Sequence, residues 1–282
     1  VGDKAMAKRV MKEAGMPLVP GTEEPIPSLQ DAYDIARELG YPVIIKAVAG
    51  GGGRGIAPVW RREDMEQAYN TTRASAQQIF KNSDVYMEKL IEQFRHTEVQ
   101  ILCDNHGNGV HLGERDCSVQ RNHQELVEIT PSPWRGMTDE LRQRLKDYAE
   151  RLVRETGYYS LATVEFLVDA DGEPYLIEVN TRLQVEHGIT ECRYGVDLVE
   201  EQINIAFGGK LRFNCADTRP FLSAMQLRIN CEDPKQNFAP NAGLITRYLS
   251  PGGQGIRLDS CLTAGYEYPT QYDSAGALLI SY

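Results

Sequence analysis

Apolar side chains recur at helical spacing at Met6, Val10, Met11 and Ala14, behind a capping Asp3 and ahead of Gly15 and Pro17. That pattern predicts a short leading helix. Ser28 opens a second helix through Leu29, Ala32, Ala36 and Leu39 to Gly40, and residues 42–47 then read as a buried strand. The apolar run 56–60 is too short for a helix, so the glycine run before it is expected to turn one strand back into another. A polar helix over 62–80 follows, with strands over 85–90 and 97–103. Thr138 caps the clearest helix, with Leu141, Leu145, Ala149, Leu152 and Val153 on one face and Gly157 past its end. A helix from about 197 to 207, closed by Gly208-Gly209, and strands over 221–229, 243–249 and 277–281 complete an α+β pattern without internal repeats.

The 282 residues are enough for two lobes, or for one large core with an inserted lid. Hydrophobic residues at 41% and charged residues at 25% exclude a disordered or low-complexity chain. A net charge of −10 gives no overall attraction to nucleic acid or anionic membranes. No apolar run approaches the 18 or so residues of a membrane span, and the first dozen residues lack a signal-like apolar stretch. The six cysteines (103, 117, 192, 215, 231 and 261) are widely spaced and read as reduced thiols of a cytoplasmic protein. A first residue that is not Met and a strand-like run stopping at Tyr282 suggest a piece of a longer chain.

The run Gly50 to Gly53, Arg54, Gly55 contains a G-x-G-x-x-G match, but a strand follows it where a dinucleotide fold needs a helix. No Gly-Lys-Ser/Thr closes a Walker loop either. Two readings remain: a plain surface turn, or a glycine hairpin whose backbone N–H groups approach an anion beside Lys46.

The segment 163–180 carries paired carboxylates. Asp171-Gly172 is the dipeptide of a two-residue hairpin turn, which sets Ala170 opposite Glu173, Leu167 opposite Leu176 and Glu165 opposite Glu178. Two carboxylates so paired have Cβ atoms roughly 5 Å apart and are destabilising unless a positive group lies between them. Asn180 and Arg182 continue the same face, giving a row of oxygen ligands and a cation suited to Mg²⁺ and phosphates. Two solvated glutamates are the plainer alternative. Apolar Val164, Phe166, Leu167, Leu176, Ile177 and Val179 point to a buried strand pair.

The next residues, Asn180-Thr-Arg-Leu-Gln-Val-Glu-His187 and Thr190-Glu191, resemble the signature of biotin carboxylases. The segment 46–55, Tyr86-Met-Glu-Lys89, Glu114-Arg-Asp-Cys-Ser-Val-Gln-Arg121, His123-Gln124, Glu165-Phe166, Arg228-Ile-Asn230 and Glu232-Asp-Pro234 join it in the same order. The resemblance covers essentially the whole chain. It implies an ATP-grasp fold, with a lead-in helix over 1–17, a glycine-rich lid lobe over 18–90, a large lobe over 91–215 and the start of a biotin carboxylase C-terminal domain over 216–282.

It further implies that ATP phosphorylates bicarbonate and that the carboxyl group passes to biotin on a carrier protein or domain, which a carboxyltransferase subunit then uses. Family members often dimerise. By the same resemblance Lys4, Lys46 and His123 would meet ATP phosphates, under a lid loop of Gly51, Gly52 and Gly53. Glu88, Lys89 and Ile91 would meet adenine, and His96 and Gln120 the ribose. Glu165, Glu178 and Asn180 would hold Mg²⁺ or Mn²⁺. Arg182, Gln184 and Val185 would hold bicarbonate, Glu186 would deprotonate it, and Arg228 would stabilise the biotin enolate.

The pattern breaks on the acceptor side. Glu125 stands where the family's R-R-H-Q-K has lysine, Gln226 where it has glutamate, Leu278 where Y-D-S-M-x-x-K has lysine, and Gly188 where proline is usual. A carboxylate about 4 Å from an anion costs on the order of 4 kcal/mol at an effective dielectric near 20. These departures keep two alternatives open: an impaired, ATP-binding paralogue with a structural or regulatory role, and an ATP-grasp ligase for another carboxylic acid.

Overall fold

The computed structural model describes residues 10–48, 55–122, 124–214, 218–269 and 273–282. Lys4, Gly51, Gly52, Gly53 and His123 lie outside the described residues.

A small lobe comes first. Helix α1 (Leu29–Leu39) starts where Ser28 Oγ accepts the Asp31 N–H at 3.2 Å and stops at Gly40, whose φ of 74° few other residues adopt. Strands β1 (Val43–Ala47) and β2 (Ile56–Val59) pair antiparallel, as the sequence predicts for a glycine turn between two strands. Helix α2 (Met65–Phe80) and β3 (Val85–Lys89) follow, giving a sheet of order β2-β1-β3. Val43, Ile45, Val59, Met65, Tyr69 and Met87 form its core with Ala32 and Ala36.

The larger unit is one antiparallel sheet. It contains β4 (Phe94–Cys103), β5 (Gly109–Arg121), β6 (Gln124–Thr130), β7 (Ser160–Asp169), β8 (Pro174–Asn180), β9 (Ala224–Asn230), β10 (Ile256–Ser260) and β11 (Ala275–Ser281). The spatial order is β10-β11-β9-β6-β5-β4-β7-β8, so the last three strands extend the same sheet that carries the paired carboxylates. Helix α3 (Asp139–Thr156) is capped by Thr138 and packs Leu141, Leu145, Ala149 and Leu152 on Val99, Ile101, Val164 and Phe166. Met11 and Met16 join that core, so the leading segment packs on the large unit. Each fully buried Leu or Phe contributes about 1.5–3 kcal/mol.

The other face is covered by α4 (His187–Tyr194) and α5 (Leu198–Ala206), where Leu102, Val110, Leu112 and Leu161 meet Tyr194, Leu198 and Ile205. Because side chains alternate across a strand, Glu98 and Gln100 share this second face with Leu102.

The strand expected over 243–249 shrinks to Gly243–Leu244, paired with Glu267–Tyr268. The pairing ends at Ile245, whose N–H donates to the Tyr266 carbonyl at 2.9 Å and whose carbonyl accepts from the Gly265 N–H at 2.8 Å, and Leu249 is 75% exposed. Four further elements are β5, β6, α4 and β10. Strand β5 escapes periodicity because Glu114, Arg115 and Asp116 are buried polar residues in mid-strand. The cysteines at 103, 117, 192, 231 and 261 are free thiols.

Candidate active site

One row of charge crosses the sheet. Glu178 on β8 faces Glu165 on β7, Glu165 faces Glu98 on β4, and Glu98 faces Arg115 on β5. Asn180, Thr163 and Gln100 form the next row, one step along the same face.

The pairing of Glu165 with Glu178 matches the sequence count, but the route to it differs. Leu167 faces Tyr175, not Leu176, because the turn has three residues: Asp169 pairs with Glu173 through its N–H at 3.0 Å, and Gly172 takes a φ of 83°. A bulge at Ile177 then restores the count before Glu178. The bulge also lets Leu176 join Phe166 in the core while Glu178, two residues on, takes the opposite face. The row ends at Asn180. Arg182 lies beyond the strand, exposed, with Nη1 donating to the Leu183 carbonyl at 3.3 Å, so it does not extend the ligand face as its spacing suggested.

Glu165 has a positive partner in His96. Its Nε2 lies 3.0 Å from Glu165 Oε2, and the amides of Asn180 and Gln184 donate to Glu165 Oε1, the latter at 3.1 Å. Burial pushes the His96 pKa down, yet the bond to Glu165 and the nearby Glu125 and Glu98 carry it up to about 9. Burial likewise pushes Glu165 up, and His96, Gln184 and Arg115 hold it below the ordinary carboxylate value. Gln120 reaches the same histidine, with its side-chain amide 2.6 Å from Nδ1.

Glu125 does not point away from this site. Its Oε1 is 3.4 Å from His96 Nδ1, and burial with the neighbouring Glu98 raises its pKa to about 8. Glu186, 3% exposed, opens α4 and lies 3.8 Å from Arg115 Nη2. Burial and Glu98 push its carboxyl well above the usual range, against the pull of Arg115.

Arg115 and Glu98 received no role from the sequence. Arg115 is fully buried, pairs with Glu98 through Nε, and donates to Gln100 at 2.7 Å, Thr190 at 2.8 Å and Gln184 at 3.4 Å. It therefore locks β4, β5 and α4 around Glu186. The available signal was polar Glu98 and Gln100 alternating with apolar Val99 and Ile101.

In the small lobe, Lys46 Nζ lies 2.5 Å from Glu88 Oε2, so β1 and β3 bring these two residues together. Lys89 Nζ donates to the carbonyls of Gly40 and Tyr41 at 2.8 and 3.1 Å. Ile91 is half-buried after β3, and Val185 is 38% exposed beside Glu186. Arg228 on β9 pairs through Nη2 with Asp273.

Two family models match the chain. Residues 3–214 match the carbamoyl-phosphate synthase L chain, ATP binding domain, and residues 226–282 match the biotin carboxylase C-terminal domain. The chain belongs to the biotin carboxylase family. Biotin carboxylase 1 of Bacillus subtilis is 45% identical over 100% of this chain and 62% of its own length. The biotin carboxylase domain dimer of 2-oxoglutarate carboxylase from Hydrogenobacter thermophilus, solved with MgADP, ADP and bicarbonate, is 47% identical with a TM-score of 0.95 over 100% of this chain and 62% of that one. A Campylobacter jejuni biotin carboxylase–βγ-ATP complex has a TM-score of 0.94 at 41% identity, over 99% and 62% of the two chains. The fold is therefore the ATP-grasp fold of biotin carboxylases. The chain spans about three-fifths of the length of the curated relatives it matches, 62% of the Bacillus subtilis protein.

Proposed function

We propose that the intact protein carboxylates biotin on a carrier protein or domain, using ATP, Mg²⁺ and bicarbonate through carboxyphosphate. The observation that carries this reading is Glu186, a buried carboxyl with a raised pKa, next to a fully buried Arg115 and at the entrance to α4. A buried carboxyl raised above the ordinary carboxylate range is a stronger base than a solvated one, which suits proton abstraction from bicarbonate. Gln184 and Val185 would position bicarbonate with Arg182, whose exposed guanidinium is free to reach across to it. Arg228 would meet the biotin enolate oxygen.

Glu165, Glu178 and Asn180 suit a hard cation, because they offer oxygen ligands on adjacent strands. The ion would neutralise phosphate charge. Lys46, with Lys4 and His123, would hold the phosphates. Glu88, Lys89 and Ile91 would line the adenine end, and His96 and Gln120 the ribose. The lid over 18–90, the large lobe over 91–215 and the unit over 216–282 would act as one carboxylase component beside a carboxyltransferase, as a dimer. No described helix is long and apolar enough to cross a membrane; the same reading would place the intact protein in the cytoplasm, or in the mitochondrial matrix of a eukaryotic cell.

The test is ADP release by the intact protein with Mg²⁺, with and without bicarbonate and free biotin. Turnover that needs both and is lost in Glu186→Gln is the expected result. Tight ATP binding with no response to either addition would leave only a structural or regulatory nucleotide-binding role.

A further inference from the structure

Glu125 and Glu128 on β6 and Glu186 at the start of α4 bring carboxylate oxygens within 4.8 Å of one another. Glu128 is 1% and Glu186 3% exposed, and in each the Oε1 atom has no hydrogen-bond partner among the described residues. A fourth group points the same way from a different strand. Gln226 on β9 is fully buried and stands directly opposite Glu128. Its Nε2 donates to Glu128 Oε2 at 3.1 Å, and its own buried amide oxygen also lacks a partner among the described residues.

The unanswered atoms, one each on Glu128, Glu186 and Gln226, are all acceptors. The nearby cationic groups are shared: Arg115 lies 3.8 Å from Glu186 but pairs with Glu98, His96 lies 3.4 Å from Glu125 but bonds Glu165, and Arg228 pairs with Asp273, its Nε buried without a partner among the described residues. Burying acceptors without donors, and crowding three carboxylates together, is unfavourable unless a proton or a cation joins them.

We propose that Glu125, Glu128 and Glu186 form a divalent-cation site, separate from the Glu165–Glu178 pair, with the Gln226 amide oxygen as a fourth ligand. Oxygen-only ligands with three carboxylates suit Mg²⁺, Mn²⁺ or Ca²⁺ and not a soft metal. A half-turn of the Gln226 amide exchanges its two terminal atoms, so the group that donates to Glu128 can instead turn its oxygen to the ion. The ion offsets the negative charge that Glu125 adds beside Glu186. The site stands on this geometry and not on the bicarbonate reading.

The experiment is Mn²⁺ titration of the intact, nucleotide-free protein, reading free Mn²⁺ by electron paramagnetic resonance and the Mn²⁺-induced rise in Tm. No bicarbonate or ATP is present, so the outcome is independent of turnover. Glu178→Gln should retain the site. Glu125→Gln should weaken it at least tenfold, Gln226→Leu should weaken it severalfold, and Glu125→Lys, which supplies an internal ammonium, should abolish it. Glu125→Gln is nearly isosteric and carries the test if Glu125→Lys does not fold. Absence of Mn²⁺ binding in the parent protein, binding unchanged by Glu125→Gln, or loss in Glu178→Gln as complete as in Glu125→Lys would each overturn the proposal.

Discussion

Glu165 stands opposite Glu178 because two single-residue offsets in their hairpin cancel, a longer turn at 170–172 and a bulge at Ile177. The two carboxylates are not equivalent. Glu165 is 8% exposed and tied to His96, Asn180 and Gln184, whereas Glu178 is exposed.

That difference separates stability from catalysis. Glu178→Gln should change unfolding free energy by no more than about 0.5 kcal/mol, yet lower Mg²⁺-dependent ADP release by at least about tenfold. Glu165→Gln should lower both, with a stability loss of about 1–3 kcal/mol, because it removes the carboxylate that His96 faces. Urea unfolding and ADP release on the same preparations read the two effects.

Arg115 and Glu98 should behave as a buried pair. Arg115→Met leaves Glu98 inside the sheet without its counter-charge, and should cost about 3–5 kcal/mol. The double variant Arg115→Met with Glu98→Leu should recover part of that loss. A double-mutant cycle in urea unfolding measures the coupling, and equal losses in the single and double variants would refute the pairing argument.

Gly188 sits in the first turn of α4 against Ile280, and a Cβ added there would lie 2.6 Å from the Ile280 Cδ1 atom. Ile280 is fully buried and has little room to yield. Gly188→Ala should therefore cost about 1–3 kcal/mol, and Ile280→Val should relieve part of it in the double variant. Thermal unfolding of the two single variants and the double checks this.

His111 should set an acid limit on stability away from the active site. Burial, helped by Lys146, lowers its pKa to about 4, below the unfolded value of 6.5. A depressed pKa means that its contribution is complete above pH 6.5 and is lost as pH falls through 4. The loss should be about 1–2 kcal/mol, allowing for a side chain that is 21% exposed. His111→Leu should flatten the slope of stability between pH 6.5 and 4, as measured by urea unfolding across that range.

By itself the sequence determined the elements whose signals are local. Ser28 and Thr138 cap helices, Gly40 and Gly157 end them, and the run around 163–180 forms a hairpin. The order of motifs through Asn180, Gln184 and Glu186 marked the family. Only the tertiary structure decided which charges meet. His96, Arg115 and Gln226 each have a buried acidic partner on another strand, 69, 17 and 98 residues away in the chain, which helical or strand periodicity cannot reveal. The same holds for Lys46, which meets Glu88 across β1 and β3, and for Lys89, which is committed to Gly40 and Tyr41. Cross-strand register sets these pairs, and register depends on turns and bulges whose one-residue offsets move every later side chain to the opposite face.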